Sequence, residues 1–253
     1  MQILFQHIFD HAVWRIIASS SETSSWAIEL RNPTKQDVEY YFVNQNAKLK
    51  KLNTELNWWS GIECVFGENI VFHEYLQQDL PIHKGIFVFN AEENQTKWSN
   101  EFIAFVSANK THIKAKTILG STDQILVLDF KTGLEIVNED VLDTIPQKEC
   151  NVIGQDQMYF KEISAFIQKF TQFQPVSLCE YSEENKAMII SYYIKNNNVL
   201  ENYLLVTDLS GEEKLHLCIA TDLKGVATGT FNVSNSFLSF VKDRKELFIT
   251  SLD

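Results

Sequence analysis

An apolar strand that ends in Asn or Asp and runs straight into a polar turn recurs along this chain. The pattern is fullest in residues 58–98, WWSGIECVFGENIVFHEYLQQDLPIHKGIFVFNAEENQTKW, which read as strand, tight turn, strand, polar loop, strand, turn and closing tryptophan. GIFVFNAEENQTKW (85–98) aligns without a gap on QILVLDFKTGLEIV (124–137), placing Phe89 on Leu128, Asn90 on Asp129 and Trp98 on Val137. Weaker copies end at Asn44, Asp208 and Ser251. The marker positions lie roughly forty residues apart, with one interval doubled, which is the span of a four-stranded propeller blade. Asn or Asp has a physical task there: its side-chain oxygen accepts from the backbone N–H groups that follow and closes the turn. The chain is therefore predicted to be all-β, a β-propeller of five blades forming one domain over 1–253. Six blades is the alternative if residues 138–174 hold a degenerate one.

Strand patterns group into meanders. The first covers 13–18, 25–31, 36–43 and 48–52; the second 59–66, 70–76, 85–90 and 96–99. The third starts at Phe102 and runs through 113–116, 124–129 and 135–137, and the fourth takes 176–181, 187–195, 199–208 and 214–221. The last has three strands, 226–233, 236–241 and 245–252, so it needs a fourth. The N-terminal run 3–9 is predicted to pair beside 245–252 and close the ring, leaving no exposed sheet edge. Between the third and fourth meanders, Phe160, Ile163, Phe166, Ile167, Phe170 and Phe173 recur at helical spacing. They predict an amphipathic helix over 157–172, capped by Asp156, stopped by Pro175 and packed against the sheets.

Charge excludes one class of partner. With 22 basic against 33 acidic residues the net charge is −11, and the lysines at 48, 50 and 51 are followed by Glu55, so no basic patch awaits nucleic acid. No apolar run is long enough for a membrane span, and residues 1–21 lack the basic start of an export signal; no membrane partner is expected, and the expected location is the cytoplasm. Cys64, Cys150, Cys179 and Cys218 stand far apart without metal-ligand spacing and read as reduced structural thiols. No cofactor is expected. Elbows for a nucleophilic serine and glycine-rich phosphate loops are missing from the sequence, and Glu92-Glu93, Glu183-Glu184 and Glu212-Glu213 fall in wet turns unsuited to general acid work.

Chemically capable side chains concentrate in the second meander. Alternation along a strand puts His73 and Tyr75 on one face and Glu74 on the other. Beyond the loop 77–81, His83 and Lys84 open the next strand, so His73, Tyr75, His83 and Lys84 are expected to converge near one mouth together with Trp58 and Trp59. Such a group suits a planar ligand, an anion or a peptide carboxylate: the rings offer faces, Lys84 a charge, and the histidines tunable donors. A metal set of His73, Glu74 and His83 is the weaker reading, because the spacing across a loop supplies no third ligand of known pattern. The expected function is a non-catalytic binding or interaction module for an unknown protein or small-molecule ligand. The alternative is a hydrolase or lyase using the same His, Tyr and Lys group.

Two resemblances accompany these readings. Residues 90–98 (NAEENQTKW) and 129–137 (DFKTGLEIV) resemble the quinoprotein-type and WD40-like propeller repeat, in which a strand ending in Asp leads through Thr-Gly to a closing Trp. Asp129, Thr132 and Gly133 match the turn and Trp98 the closing tryptophan. The resemblance implies a propeller and no quinone site, since that class of dehydrogenase has more blades, an export signal and adjacent cysteines. The layout W-W-x-G at 58–61, H-x-Y at 73–75 and P-x-H-K-G-I at 81–86 is similar to a bacterial family of like length with no assigned activity, which implies a propeller-like fold and brings no catalytic residues.

Overall fold

The computed structural model of the chain describes residues 1–21, 23–77, 80–118, 124–136 and 150–252. Val137, residues 138–149 of the candidate sixth blade, and Gln78 and Asp79 of the expected loop lie outside the described residues. The chain divides into two compact units, one made of Met1–Asp10 and Lys148–Asp253, the other of His11–Gln147. Strand β1 (Gln2–Ile8) belongs to the first. The second unit then holds three antiparallel sheets, each in sequential order: β2 (Ala12–Ala18), β3 (Trp26–Asn32), β4 (Asp37–Val43) and β5 (Leu49–Lys51); β6 (Ser60–Phe66), β7 (Asn69–Gln77), β8 (Leu80–Asn90) and β9 (Gln95–Asn100); and β10 (Ile103–Ala108), β11 (His112–Thr117) and β12 (Ile125–Asp129). The remainder of the first unit contributes β13 (Asn151–Gly154), helix α1 (Met158–Phe170), β14 (Pro175–Glu184), β15 (Ala187–Asn196), β16 (Val199–Asp208) and β17 (Glu213–Ala220), with the five strands in one sheet. Strands β18 (Phe231–Ser234), β19 (Phe237–Lys242) and β20 (Glu246–Ser251) follow, and β1 completes their sheet by antiparallel pairing with β20, Gln6 opposite Phe248. Among the described residues the protein is thus all-β apart from one helix, and the N-terminal strand pairs where the sequence predicts. No helix among the described residues is long and apolar enough to cross a membrane.

The marker residues do what their chemistry dictates. Asn44 Oδ1 accepts from the backbone N–H of Asn46 and Lys48, Asn90 Oδ1 from Glu93, Asp129 Oδ1 from Thr132, and Asp208 Oδ1 from Ser210 and Glu212. The Thr132 hydroxyl also donates to Asp129, and these bonds hold its carboxyl below the ordinary range. Trp98 reaches this turn from the preceding sheet: its Nε1 donates to the Phe130 carbonyl at 2.9 Å, and its ring fills the space over Gly133, where a Cβ would stand 2.6 Å from Cδ2. Gly133 has φ +70, so glycine is required there twice over.

Within the second unit, alternate residues of the first two sheets meet in one apolar core that includes Ile17, Ala27, Phe42, Ile62, Ile70 and Phe72. A second core, around Val71, Val88, Ile113 and Ala115, joins the sheets of β6–β9 and β10–β12. In the first unit, α1 lays Phe160 and Ile167 against Cys179, Ile190, Tyr192 and Leu205. Its cap corrects the sequence expectation: Gln157, not Asp156, is the N-cap, and its side chain makes no capping bond. Packing of the apolar face, not capping, therefore holds the helix. Edge strands β1, β2, β6 and β10 each carry a register shift, at Leu4, Trp14, Glu63 and Val106, which twists the edge and discourages pairing with another chain. All four cysteines are thiols, and burial pushes those of Cys64, Cys179 and Cys218 up, Cys179 to about 12.

Two buried carboxylates are handled differently in the two units. In the first, Glu180 on β14 accepts from the backbone N–H of Gly229 and Thr230 and from the Thr230 hydroxyl, so both its oxygens are used. In the second, Glu29 on β3 uses Oε1 for Arg31 and has no hydrogen-bond partner for Oε2.

Candidate functional site

Strand β7 runs regularly between two neighbours that do not. On β6 the pairing passes from Ile62 opposite Phe72 to Cys64 opposite Val71, so Glu63 is the extra residue of a bulge. On β8 it passes from Phe87 opposite Phe72 to Lys84 opposite Glu74, three residues against two, with Gly85 at φ +69 absorbing the excess. A bulge re-aims a side chain that regular pleating would place elsewhere. Both bulges fall at the level of His73, and both serve it: Glu63 turns its carboxylate toward the ring, and the extra residue on β8 shifts the register so that His83 is carried beside it. Gly61 lies directly opposite His73 and makes room for it, since a Cβ at 61 would stand 2.9 Å from Cε1 and 3.0 Å from Nε2 of the imidazole.

His73 is fully buried. Its ring stacks on that of His83 with centroids 3.6 Å apart and planes 8° from parallel, and Tyr75 stands edge-on to both at 5.1 and 5.2 Å. Glu63 Oε1 bridges the pair: it lies 2.7 Å from Nδ1 of His83, a hydrogen bond, and 3.1 Å from Nδ1 of His73. The second contact is one of charge at short range, off the line of a hydrogen bond, so both ring nitrogens of His73 are without a hydrogen-bond partner. Burial opposes ionisation of Glu63, but its short-range contacts with His73 and His83 outweigh it and hold the carboxyl below its ordinary value. A third of the His83 side chain is exposed against 12 % of that of Glu63, so the cluster opens through His83.

Behind this group lies a buried ion pair. Arg31 Nε donates to Glu29 Oε1 at 2.5 Å, and its two terminal nitrogens donate to the carbonyls of Trp58 at 2.7 Å and Ser60 at 2.6 Å. The guanidinium lies 4.8 Å from the Trp58 ring and 5.7 Å from that of Trp14. Every side-chain nitrogen of Arg31 is therefore engaged, Nε within β3 and the two terminal nitrogens in tying β3 to the segment that opens β6. Glu29 Oε2 is 3.7 Å from the point a Cβ of residue 61 would occupy, the point from which His73 Nε2 is 3.0 Å, so two unpartnered polar atoms face one small volume. The hydroxyls of Tyr40 and Ser60 are also buried without hydrogen-bond partners. Burial, then the charge of Glu29, push the Tyr40 hydroxyl far above its ordinary value, so it is a neutral donor. Each orphaned buried group costs on the order of 1–3 kcal/mol, which marks this corner of the fold as a candidate site.

Of the six residues singled out in the sequence, the structure brings His73, Tyr75 and His83 together. Lys84 is directed away: it pairs across the strands with Glu74, Nζ 3.9 Å from Oε2, on the opposite face of the sheet. Glu74 also lines a separate cavity of about 360 Å³ with Glu55, Phe87 and Glu101. Trp58 and Trp59 are half-buried, the first under Arg31, the second accepting the backbone N–H of Tyr75 through its carbonyl at 2.8 Å. His83 and Lys84 lie inside β8 rather than at its start, because β8 begins at Leu80. The residues that sequence reasoning passed over are Glu29, Arg31, Gly61 and Glu63. Their signal was present: charged residues inside otherwise apolar strand patterns, WAIELR and SGIECVF, have to be paired or used.

Residues 19–98 match a family described as a domain of unknown function (DUF4905), a span that contains the whole cluster from Glu29 to His83. No curated protein matches the chain. Among solved structures, it is similar to a eukaryotic initiation factor at 8% identity and TM-score 0.35, covering 82% of this chain and 55% of that one. The β-propeller domain of the trilobed protease from Pyrococcus furiosus is similar at 10% identity and TM-score 0.35, covering 95% and 96%. An acylaminoacyl peptidase from Pyrococcus horikoshii gives 9% and 0.30, covering 96% of this chain and 39% of that one. The chain spans about half the length of the first of these structures, and none reaches a TM-score from which a shared fold follows.

Proposed function

We propose that the chain is a five-bladed β-propeller that serves as a binding module, with its ligand site at Glu63, His73, Tyr75 and His83. Five antiparallel sheets among the described residues, four of them sequential meanders and the fifth completed by β1, support the propeller reading. The observation that carries the binding reading is the fully buried His73 imidazole, without a hydrogen-bond partner on either nitrogen, stacked on a ring that reaches solvent. A ligand entering past His83 would find two aromatic faces, a carboxylate and unsatisfied ring nitrogens. The net charge of −11 directs the search toward small molecules and proteins rather than nucleic acid. A thermal-shift screen of metabolites and peptides tests it, since a ligand of the folded state raises the melting temperature by mass action. The expected result is a compound that stabilises the wild type and not His83→Ala; compounds that stabilise both equally would remove the site.

A second reading, a hydrolase or lyase, has one observation in its favour. Glu63 holds Nδ1 of His83 at 2.7 Å, the arrangement that orients an imidazole as a general base through its other nitrogen. Turnover of an ester or lyase substrate panel that is lost in Glu63→Gln would favour it.

A further inference from the structure

The Glu63, His73 and His83 group has the composition of a metal site, and this inference rests on the reading of that group as a ligand site. We propose that these three side chains bind one divalent transition-metal ion, zinc or its cobalt or nickel substitutes, once His83 turns out of its stack on His73.

Two imidazole nitrogens and one carboxylate oxygen are the three-ligand set that leaves a coordination position open on zinc. Their donor atoms lie within 4.8 Å of one another, with Glu63 Oε1 at 2.7 Å from one Nδ1 and 3.1 Å from the other. Ligands of a tetrahedral zinc are spaced about 3.3 Å apart at bond lengths of about 2.0–2.2 Å, so Glu63 and His73 need little translation and His83, once turned, has to bring a nitrogen to that spacing. The bulge at Glu63 and the bare Cα of Gly61 are the local devices that bring them there. An independent observation is His73 itself, fully buried, with no hydrogen-bond partner at either nitrogen.

Orientation is what the group must change. An imidazole lone pair lies in the plane of its ring, and one ion cannot lie in two planes that are 8° from parallel and stacked at 3.6 Å. One ring has to rotate. His73 is packed between Gly61 and Tyr75, whereas His83 is the more exposed, so His83 is the ring that moves. Glu74, the carboxylate that follows His73 in sequence, faces the other side of the sheet beside Lys84 and takes no part.

The test is equilibrium dialysis of the full chain against zinc, followed by metal analysis, with cobalt substitution read by its visible d–d absorption. One equivalent per chain is expected, weakened by about a hundredfold or more in Glu63→Gln and in His83→Gln and unchanged in Glu74→Gln. Cobalt should give the intense visible bands of a four-coordinate site, and the proton resonances of His83 should shift as the stack opens. Glu63→Gln is isosteric and His83 partly exposed, so at least one variant folds and carries the comparison, checked by circular dichroism. Less than a tenth of an equivalent in the wild type, or equal uptake by all three variants, overturns the metal. If the metal fails while a library compound still stabilises the wild type and not His83→Ala, the binding reading stands without it; if neither appears, both fall.

Discussion

Each compact unit buries a glutamate in a β-strand, and the two are treated in opposite ways. Glu180 is closed off by three donors from the segment at Gly229 and Thr230, so its charge holds that segment to β14 and has no further capacity. Glu29 spends one oxygen on Arg31 and leaves the other without a hydrogen-bond partner, on the side of Gly61 where His73 Nε2 also lies. Of the six side-chain atoms left buried without hydrogen-bond partners among the described residues, five belong to the second unit and one, Thr207 Oγ1, to the first. Saturated polar groups hold a fold together, and unsaturated ones gathered in one place are where a ligand would find partners.

Replacing both glutamates is the strongest way to break this contrast. Glu180→Ala leaves two backbone N–H groups and a hydroxyl without their acceptor and is expected to cost about 3–5 kcal/mol of unfolding free energy. Glu29→Gln keeps an oxygen for Arg31 but removes the charge that offsets the buried guanidinium, so its cost, also about 3–5 kcal/mol, comes from the ion pair and not from the unused oxygen. Urea denaturation of the two variants measures both, and a loss below about 1 kcal/mol for Glu180→Ala would erase the distinction.

Histidines sharpen it at smaller amplitude. His216 in the first unit faces Tyr192, whose hydroxyl lies 2.7 Å from its Nε2, together with Tyr203 and Phe173. Burial lowers its pKa below 6.5, against a weaker opposing effect from Glu213. Acidification therefore protonates this imidazole first in the unfolded chain: stability is level above about pH 6.5 and declines as pH falls through that value toward the folded one. The midpoint of denaturation, followed from about pH 7.5 to 5, should slope downward in the wild type and flatten in His216→Gln.

The smallest expected effect is at Tyr40. Its hydroxyl is buried without a hydrogen-bond partner, so Tyr40→Phe is expected to change stability by no more than about 0.5 kcal/mol, or to raise it. A loss of about 2 kcal/mol by calorimetry would mean that the hydroxyl has an acceptor, and the count of unsatisfied groups would shrink.

Much of the architecture was legible because it is encoded locally. Period-two alternation places nearly all strands, and the side-chain oxygens of Asn44, Asn90, Asp129 and Asp208 close the turns their position implies. The helix was legible from its phenylalanine spacing, its cap was not, because Gln157 caps without a side-chain bond. Strand β13 was missed, being four residues long with a glycine at its end, and it exists through pairing with β14. The site was half legible. Alternation alone brought His73 and Tyr75 to one face, but the fate of Lys84 turned on a bulge at Gly85, and the role of Glu63 on another in β6. A bulge shifts every later side chain by one face, and neither Gly85 nor Glu63 announces it by composition.

The pairing of β1 with β20 sets an order in time. Gln6 and Glu246, whose side chains meet at 2.7 Å, are 240 positions apart, and the whole of the second unit is synthesised between them. During translation β1 must wait, an exposed amphipathic strand without a neighbour, until β20 leaves the ribosome. The second unit, a continuous segment, has all its partners in hand far earlier. Closure of the first unit's last sheet is thus the slow, high-contact-order event, and the interval before it is when the nascent chain is open to chaperones and to mispairing.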